Sequence, residues 1–323
     1  MKNKGFISSI YAPITRFIHE SWAVLFPANY ARYFYRKASN KELNLKDPRD
    51  YNEKLEWLKI YSDTSLWTEC ADKYKVRKYI HNCGFDHILT ELYGVWKAPD
   101  EIDFSVLPDK FVLKANHGFG KTMVVRDKSQ LNIIQTRRTL KKWLRDRYGL
   151  MTFEPHHWNI DRRIIAEELL QDEFNKSLSS SLIDYKFWCV NGEPEVVVTM
   201  LNRQNVTVGS LEDQEKSSFK AGAYDLNWNL RPEILTDAPA RQTDAPLPKP
   251  NCFDEMIRIC KVLSKPFPTV RVDLYEVNNR VYFGELTFTP GGNKNYFSDE
   301  IFLKMGEKID LSSVKLREKR FII

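Results

Sequence analysis

The sequence predicts an α+β protein in which a helical N-terminal region precedes a series of antiparallel hairpins. Three observations predict it. Within residues 50–80, Leu55, Leu58 and Ile60 fall at roughly helical spacing. Residues 184–190 and 193–198 are apolar runs joined by Asn191-Gly192, a dipeptide suited to a two-residue hairpin turn. Residues 271–275 and 282–287 repeat that pattern around Asn278-Asn279.

Composition sets the bounds. A chain of 323 residues is long enough for one large fold or two to three subdomains. Hydrophobic residues make up 42% and charged residues 28%, which excludes a disordered chain. The net charge of +6, from 49 basic and 43 acidic residues, is mild and carries no long Lys/Arg block. A nucleic-acid binder usually leaves a stronger footprint, whereas a nucleotide or an acidic polymer suits this charge. Cys70, Cys83, Cys189, Cys252 and Cys260 are scattered and form no C-x-x-C pair, so a reducing cytoplasm is the simplest home.

The elements follow in order. Near the N-terminus, Phe17, Trp22, Phe26, Tyr30 and Tyr33 are mixed with Arg16, Arg32, Arg36 and Lys37. A helix on an anionic membrane has this composition, and so does one packed on the rest of the protein, which we favour. The longest uncharged run there, 21–31, is too short to span a bilayer. Two helices are expected within 50–80, the second carrying Asp72 and Lys73. Residues 111–114 form a short strand, 116–122 a loop bearing Gly118 and Gly120, and 123–125 a returning strand. The Walker spacing is absent, but glycines in a hairpin can drape backbone amides over phosphates. Residues 131–147 read as a basic helix, and 162–170 as a strand ending near Glu167 and Glu168. In the Pro155-His156-His157-Trp158 segment, adjacent side chains of an extended chain point to different faces, which argues against a metal site. Residues 204–219 are polar, 236–250 form a proline-rich loop, 252–264 look helical, and 315–320 are basic and peripheral.

The last hairpin carries one carboxylate on each arm, Asp273 and Glu285. Two facing carboxylates are how hard oxygen ligands are brought together for magnesium. The register imposes a condition, because a two-residue turn sets Asp273 opposite Gly284 and puts Glu285 on the wrong face. A three-residue turn or a bulge restores the parity. The metal reading therefore expects an odd-length loop.

The order of these parts resembles the ATP-grasp superfamily, and most closely its TupA-like branch, linked to teichuronopeptide and capsular polysaccharide biosynthesis. The resemblance is carried by residues 47–59, 72–77, 111–118, 163–168, 184–194, 271–275 and 283–291. It implies an ATP-grasp fold, with two α+β lobes clasping ATP behind the helical region. The expected division is 1–70 for the helices, 71–160 for the first lobe and 161–323 for the second. By the same resemblance Lys73 and Lys114 neutralise ATP phosphates, and the backbone around His117, Gly118 and Gly120 covers them. Glu167 and Glu168 meet the adenine edge, and Lys186 reaches the phosphates from the second lobe. Asp273 and Glu285 bind Mg2+, while Arg271 and Arg203 hold the acceptor carboxylate or the transferring phosphoryl group.

Two departures stand out. Thr287 replaces the amide common in the last strand of such ligases, so a second magnesium needs Asn293 or water. No βαβ pattern precedes the lobes, so acceptor specificity falls to the helices and the 204–250 loops. The implied activity is Mg-ATP-dependent carboxylate–amine ligation through an acyl phosphate, on a cell-surface glycan or its precursor, in the cytoplasm or at the inner face of the membrane. A sugar phosphotransferase, a glycosyltransferase and a non-catalytic glycan-binding module are the alternatives. The glycosyltransferase lacks a D-x-D pair here, and the binding module leaves Lys114, Asp273 and Glu285 without a common purpose.

Overall fold

A computed structural model describes residues 15–172, 175–203, 219–236, 242–243, 245–293 and 297–318. Two antiparallel sheets dominate it. The first has the order β1-β4-β2-β3, with β1 Leu92–Trp96, β2 Phe111–Ala115, β3 Thr122–Val125 and β4 Ile164–Glu168. By sheet membership β4 goes with the first three strands, beyond the division expected at residue 160. The second has the order β7-β6-β5-β8-β9. Its strands are β5 Asp184–Val190, β6 Glu193–Leu201, β7 Lys220–Tyr224, β8 Thr269–Val277 and β9 Arg280–Thr287.

Each sheet buries one face under a helix. The helix Ile133–Arg145 starts where the Asn132 side chain accepts the Gln135 amide, and it seats Leu140 and Trp143 against Phe111, Leu113 and Ala166. The helix Phe253–Ser264 buries Phe253, Met256, Ile259, Cys260 and Leu263, the three-and-four spacing of a single stripe, against the second sheet. The N-terminal helices divide their loyalty. Tyr51–Tyr61 and Ser65–Ala71 share the second sheet's core through Leu55, Leu58 and Trp67. Residues 15–25 and Pro27–Ser39 build a smaller cluster around Tyr30, Tyr35 and Phe153.

Lys73 lies outside the helix expected for it. Asp72 Oδ1 accepts the amides of Tyr74 (2.9 Å) and Lys75 (3.2 Å), which holds 72–75 as a turn, and the helix begins at Val76.

Both expected hairpins form with two-residue turns whose residues are left-handed: Asn191 and Gly192 (φ 48° and 83°), Asn278 and Asn279 (φ 54° and 59°). The second turn corrects one expectation. The loop is even, with Val277 opposite Arg280, and the parity is restored farther along the strands. Leu274 faces Phe283 and Asp273 faces Glu285, leaving Gly284 as the extra residue of a bulge. A Cβ there would lie 2.9 Å from the Asp273 carbonyl and 3.0 Å from the Tyr275 ring, so this close approach favours glycine.

Candidate active site

The first sheet supplies one wall. Near the end of strand β2 Lys114 lies opposite Thr122, and the loop between them turns through left-handed Gly118 and Gly120 (φ 73° and 75°). Gly118 lies against Tyr148, whose ring a Cβ would meet at 2.5 Å. Lys73 Nζ donates to the Gly118 carbonyl (2.8 Å), and the Lys73 amide to the Asn116 carbonyl (2.9 Å). Fully buried Asn116 fixes that junction by donating to Asp72 Oδ1 and to the Asp161 carbonyl, each at 2.9 Å. Burial lowers the pKa of the Lys73 ammonium, with Glu285 pulling the other way.

Two of the expected site side chains on this wall are buried. Glu167 is buried, and its carboxylate serves two cations: Lys114 Nζ at 2.7 Å and the Arg77 guanidinium at 3.3 Å. Glu168, with Leu169 and Leu170 after it, lines the cleft instead. The His117 ring is also buried, with Nε2 3.2 Å from the Asp146 carbonyl, so what this stretch presents to the cleft is Gly118 to Gly120. Burial, with Lys121 and Arg162 nearby, pulls the His117 pKa down to about 4.

The second sheet supplies the facing wall. Asp184 and Lys186 share one face of β5, and Lys186 lies opposite Asp273 of β8. Lys186 Nζ donates to Asp273 Oδ2 and lies 3.6 Å from Asp184. Arg271 grips Asp273 with two bonds of 2.6 Å, one to each oxygen. It also reaches Glu285 Oε1 (3.1 Å) and Thr287 Oγ1 (3.0 Å). Arg203 stands 3.2 Å from Asp184 Oδ2. Burial raises the Glu285 carboxyl's pKa, but Lys73, Arg271 and Lys186 outweigh it and hold the group at about 2. Asp184 escaped the sequence reading; the signal was its i, i+2 spacing to Lys186.

The walls face one cleft of about 1790 Å3. Lys73, Lys114, Gly118, Gly120 and Glu168 line it from one side, and Lys186, Arg203, Arg271, Asp273 and Glu285 from the other. The donor set fits magnesium at Glu285, whose Oε2 lies 3.9 Å from Lys73 Nζ. Asp273 is suited by position and chemistry, but both its oxygens are held by Arg271 and Lys186. Asn293 closes the short turn Pro290–Asn293, and its side chain lies outside the described residues. Of the 204–250 stretch expected to select the acceptor, residues 204–218, 237–241 and 244 are likewise outside them.

A third group lines the same cleft: Tyr148, Thr152, Glu154, His156 and His157. Here a sequence expectation is overturned. Residues Pro155–His157 form a 3-10 turn, so the two histidine rings converge, their centroids 4.3 Å apart. Burial, with Lys59 nearby, pulls the His156 pKa to about 3, and burial with His156 and Lys73 drives that of His157 well below its ordinary value.

Comparison with known proteins agrees with the resemblance. Residues 53–310 match the family described as TupA-like ATPgrasp. No curated protein matches the chain. Among solved structures it is similar to D-alanine–D-alanine ligase from Bacillus anthracis complexed with ATP (14% identity, 79% of this chain and 69% of that one, TM-score 0.46). It is also similar to the Helicobacter pylori enzyme of that name (16% identity, 83% and 68%, TM-score 0.43). A third is D-cycloserine synthetase DcsG (11% identity, 76% and 71%, TM-score 0.43). The match over residues 53–310, with the lysines, glycine turn and carboxylate hairpin inside it, places the assignment: the chain belongs to the TupA-like ATP-grasp family.

Proposed function

We propose that the protein joins a carboxylate to an amine at the expense of ATP, on a cell-surface glycan or its precursor. The observation that carries this is the meeting of two unlike walls in one cleft. One offers lysines and a glycine turn, the other a carboxylate pair with arginines beside it.

The nucleotide lies between the sheets, its adenine against Glu168 to Leu170 and its phosphates under Gly118 to Gly120. Lys114 and Lys73 draw charge off the phosphates; Lys186 faces them from the second sheet. Glu285 and Asp273 would hold Mg2+, which supplies charge neutralisation as the γ-phosphoryl group transfers. Transfer to the acceptor carboxylate gives an acyl phosphate and ADP. An amine then attacks the acyl carbon, phosphate leaves, and the amine proton is lost. Arg203 is the better-placed acceptor clamp, since its guanidinium is a third exposed and holds one carboxylate, whereas Arg271 is spent on Asp273 and Glu285. Arg271 positions the carboxylates.

A uronic acid or another anionic sugar suits the Arg203 clamp, and the branch resemblance favours it. Among the described residues no helix is long and apolar enough to cross a membrane. Residues 15–39 nonetheless expose Phe17 (70%), Leu25 (69%) and Phe26 (58%) as well as Arg32, Arg36 and Lys37. That surface suits peripheral contact with an anionic inner leaflet, where polymer precursors would be reached.

The test is calorimetry of Mg-ATP on wild type, Lys114→Ala and Asp273→Asn, followed by product analysis with amines and uronic acids. Magnesium-dependent binding that both folded variants weaken is expected, then ADP, free phosphate and an amide. Formation of a phosphomonoester without free phosphate would make it a kinase. Folded wild type that ignores millimolar Mg-ATP would end the nucleotide reading.

A further inference from the structure

Glu154, His156 and His157 are not used by the ligation chemistry, and they lie on a segment separate from the Asp273–Glu285 pair. One donor atom from each comes within 4.8 Å of the other two. His156 is 1% exposed, and Nδ1 of both histidines is buried without a hydrogen-bond partner. Two buried imidazole nitrogens left unsatisfied on facing rings are costly, unless something absent from the chain itself completes them. The carboxylate is already oriented. Thr152 Oγ1 donates to Glu154 Oε2 (2.5 Å), and Thr289 Oγ1 to Glu154 Oε1. Hydroxyls holding a carboxylate in this way are what supports a metal ligand from behind.

We propose that Glu154, His156 and His157 form a second, distinct metal site, for a borderline divalent cation such as Zn2+ in preference to Mg2+. Two imidazoles and one carboxylate are the donor set such ions take, whereas magnesium is served by oxygen ligands and water. Three protein ligands leave a fourth position, and all three residues line the cleft, so that position opens toward bound molecules. Nearby cations do not preclude a further positive charge. Lys59 is paired with Glu56 at 2.5 Å and Lys121 with Asp146 at 2.7 Å, while Lys73 donates to the Gly118 carbonyl. The two histidines and Glu154 contribute one negative charge at most, which a divalent ion converts to a site of net +1. Such a site suits an anionic or amine group of an acceptor at the fourth position.

The experiment uses the full, untagged chain stripped with chelator, and Zn2+ and Co2+ alone as probes. Elemental analysis after gel filtration should find one Zn2+ per chain. Co2+ should give the intense visible bands of a four-coordinate site with nitrogen ligands. Glu154→Gln, His156→Gln and His157→Gln should each weaken Zn2+ binding at least tenfold, and Thr289→Val by roughly tenfold through the lost support. Asp273→Asn should bind Zn2+ as wild type does, which separates this site from the magnesium pair and from the nucleotide reading. If the histidine variants fail to fold, the wild-type Co2+ spectrum decides alone. Stripped, folded wild type that takes up neither ion, or equal binding by Glu154→Gln and His157→Gln, overturns the proposal.

Discussion

The two walls of the cleft carry similar chemistry in different ways. On the first wall each of these cations keeps few partners: Lys114 has Glu167, and Lys73 has a backbone carbonyl with Glu285 at 3.9 Å. On the second, Arg271 alone binds Asp273 twice and also Glu285 and Thr287, while Lys186 sits between Asp273 and Asp184. The difference separates a wall of sparsely paired lysines from one built as a charge network. A network buried this deeply is costly to break from either side, since each partner left behind is an unpaired charge. A sparsely paired lysine at a loop can change partner at little cost.

The strongest way to break the comparison is Asp273→Ala, which leaves Lys186 and Arg271 facing each other. The expected loss is about 3–5 kcal/mol of stability, read by denaturant unfolding, with Mg-ATP binding lost as well. Stability within about 1 kcal/mol of wild type would deny the second wall its structural role.

Lys114→Ala should do the reverse. Arg77 still serves Glu167, so folding is nearly unchanged, while losing a charged contact to phosphate weakens Mg-ATP by about 1.5–3 kcal/mol, or ten- to a hundredfold. A large fall in melting temperature with unchanged affinity would invert the assignment of the walls.

Acid sharpens the contrast by acting elsewhere. His117 has its pKa depressed to about 4 and His156 to about 3, so between pH 6.5 and those values the unfolded chain binds more protons than the folded one. Their contribution to stability is whole above pH 6.5 and is lost as pH falls. At pH 5 His117 alone should cost roughly 2 kcal/mol. Glu285, held at about 2, keeps its charge across that window. Replacing His117 with Gln should flatten the melting-temperature profile between pH 7 and 5, and an unaltered slope would exclude this histidine as the cause.

The smallest expected effect comes from Gly284→Ala. Its Cβ meets the Asp273 carbonyl at 2.9 Å, so the bulge must shift, at about 1–2 kcal/mol. The sharper readout is the magnesium dependence of nucleotide binding, since the bulge is what sets Asp273 opposite Glu285. A variant with wild-type magnesium dependence would show that the pairing tolerates slippage.

Legibility followed range. Asn191-Gly192, the helix at 133–145 and the stripe from Phe253 to Leu263 were readable because turn chemistry and periodicity act within a few residues. The fold brings Lys73, Lys114, Lys186, Arg203, Arg271, Asp273 and Glu285, all singled out along the sequence, to one cleft. Their partners were not readable there. Glu167 pairs with Arg77 and Lys114, which arrive from 90 and 53 residues away, and no local pattern encodes that convergence. The paired histidines were misread by assuming extended chain where the backbone makes a 3-10 turn.

The sequence by itself determined the helices, the hairpins, the order of charged residues along the strands, and thereby the family. Tertiary structure decided the sheet that claims β4, the bulge that restores the Asp273–Glu285 register, the burial of Glu167 and His117, and the meeting of Glu154 with two histidines. The physical reason is common to all of these. Propensity and turn geometry are settled between near neighbours, whereas charge pairing, burial and close backbone approach depend on which distant segments share a space.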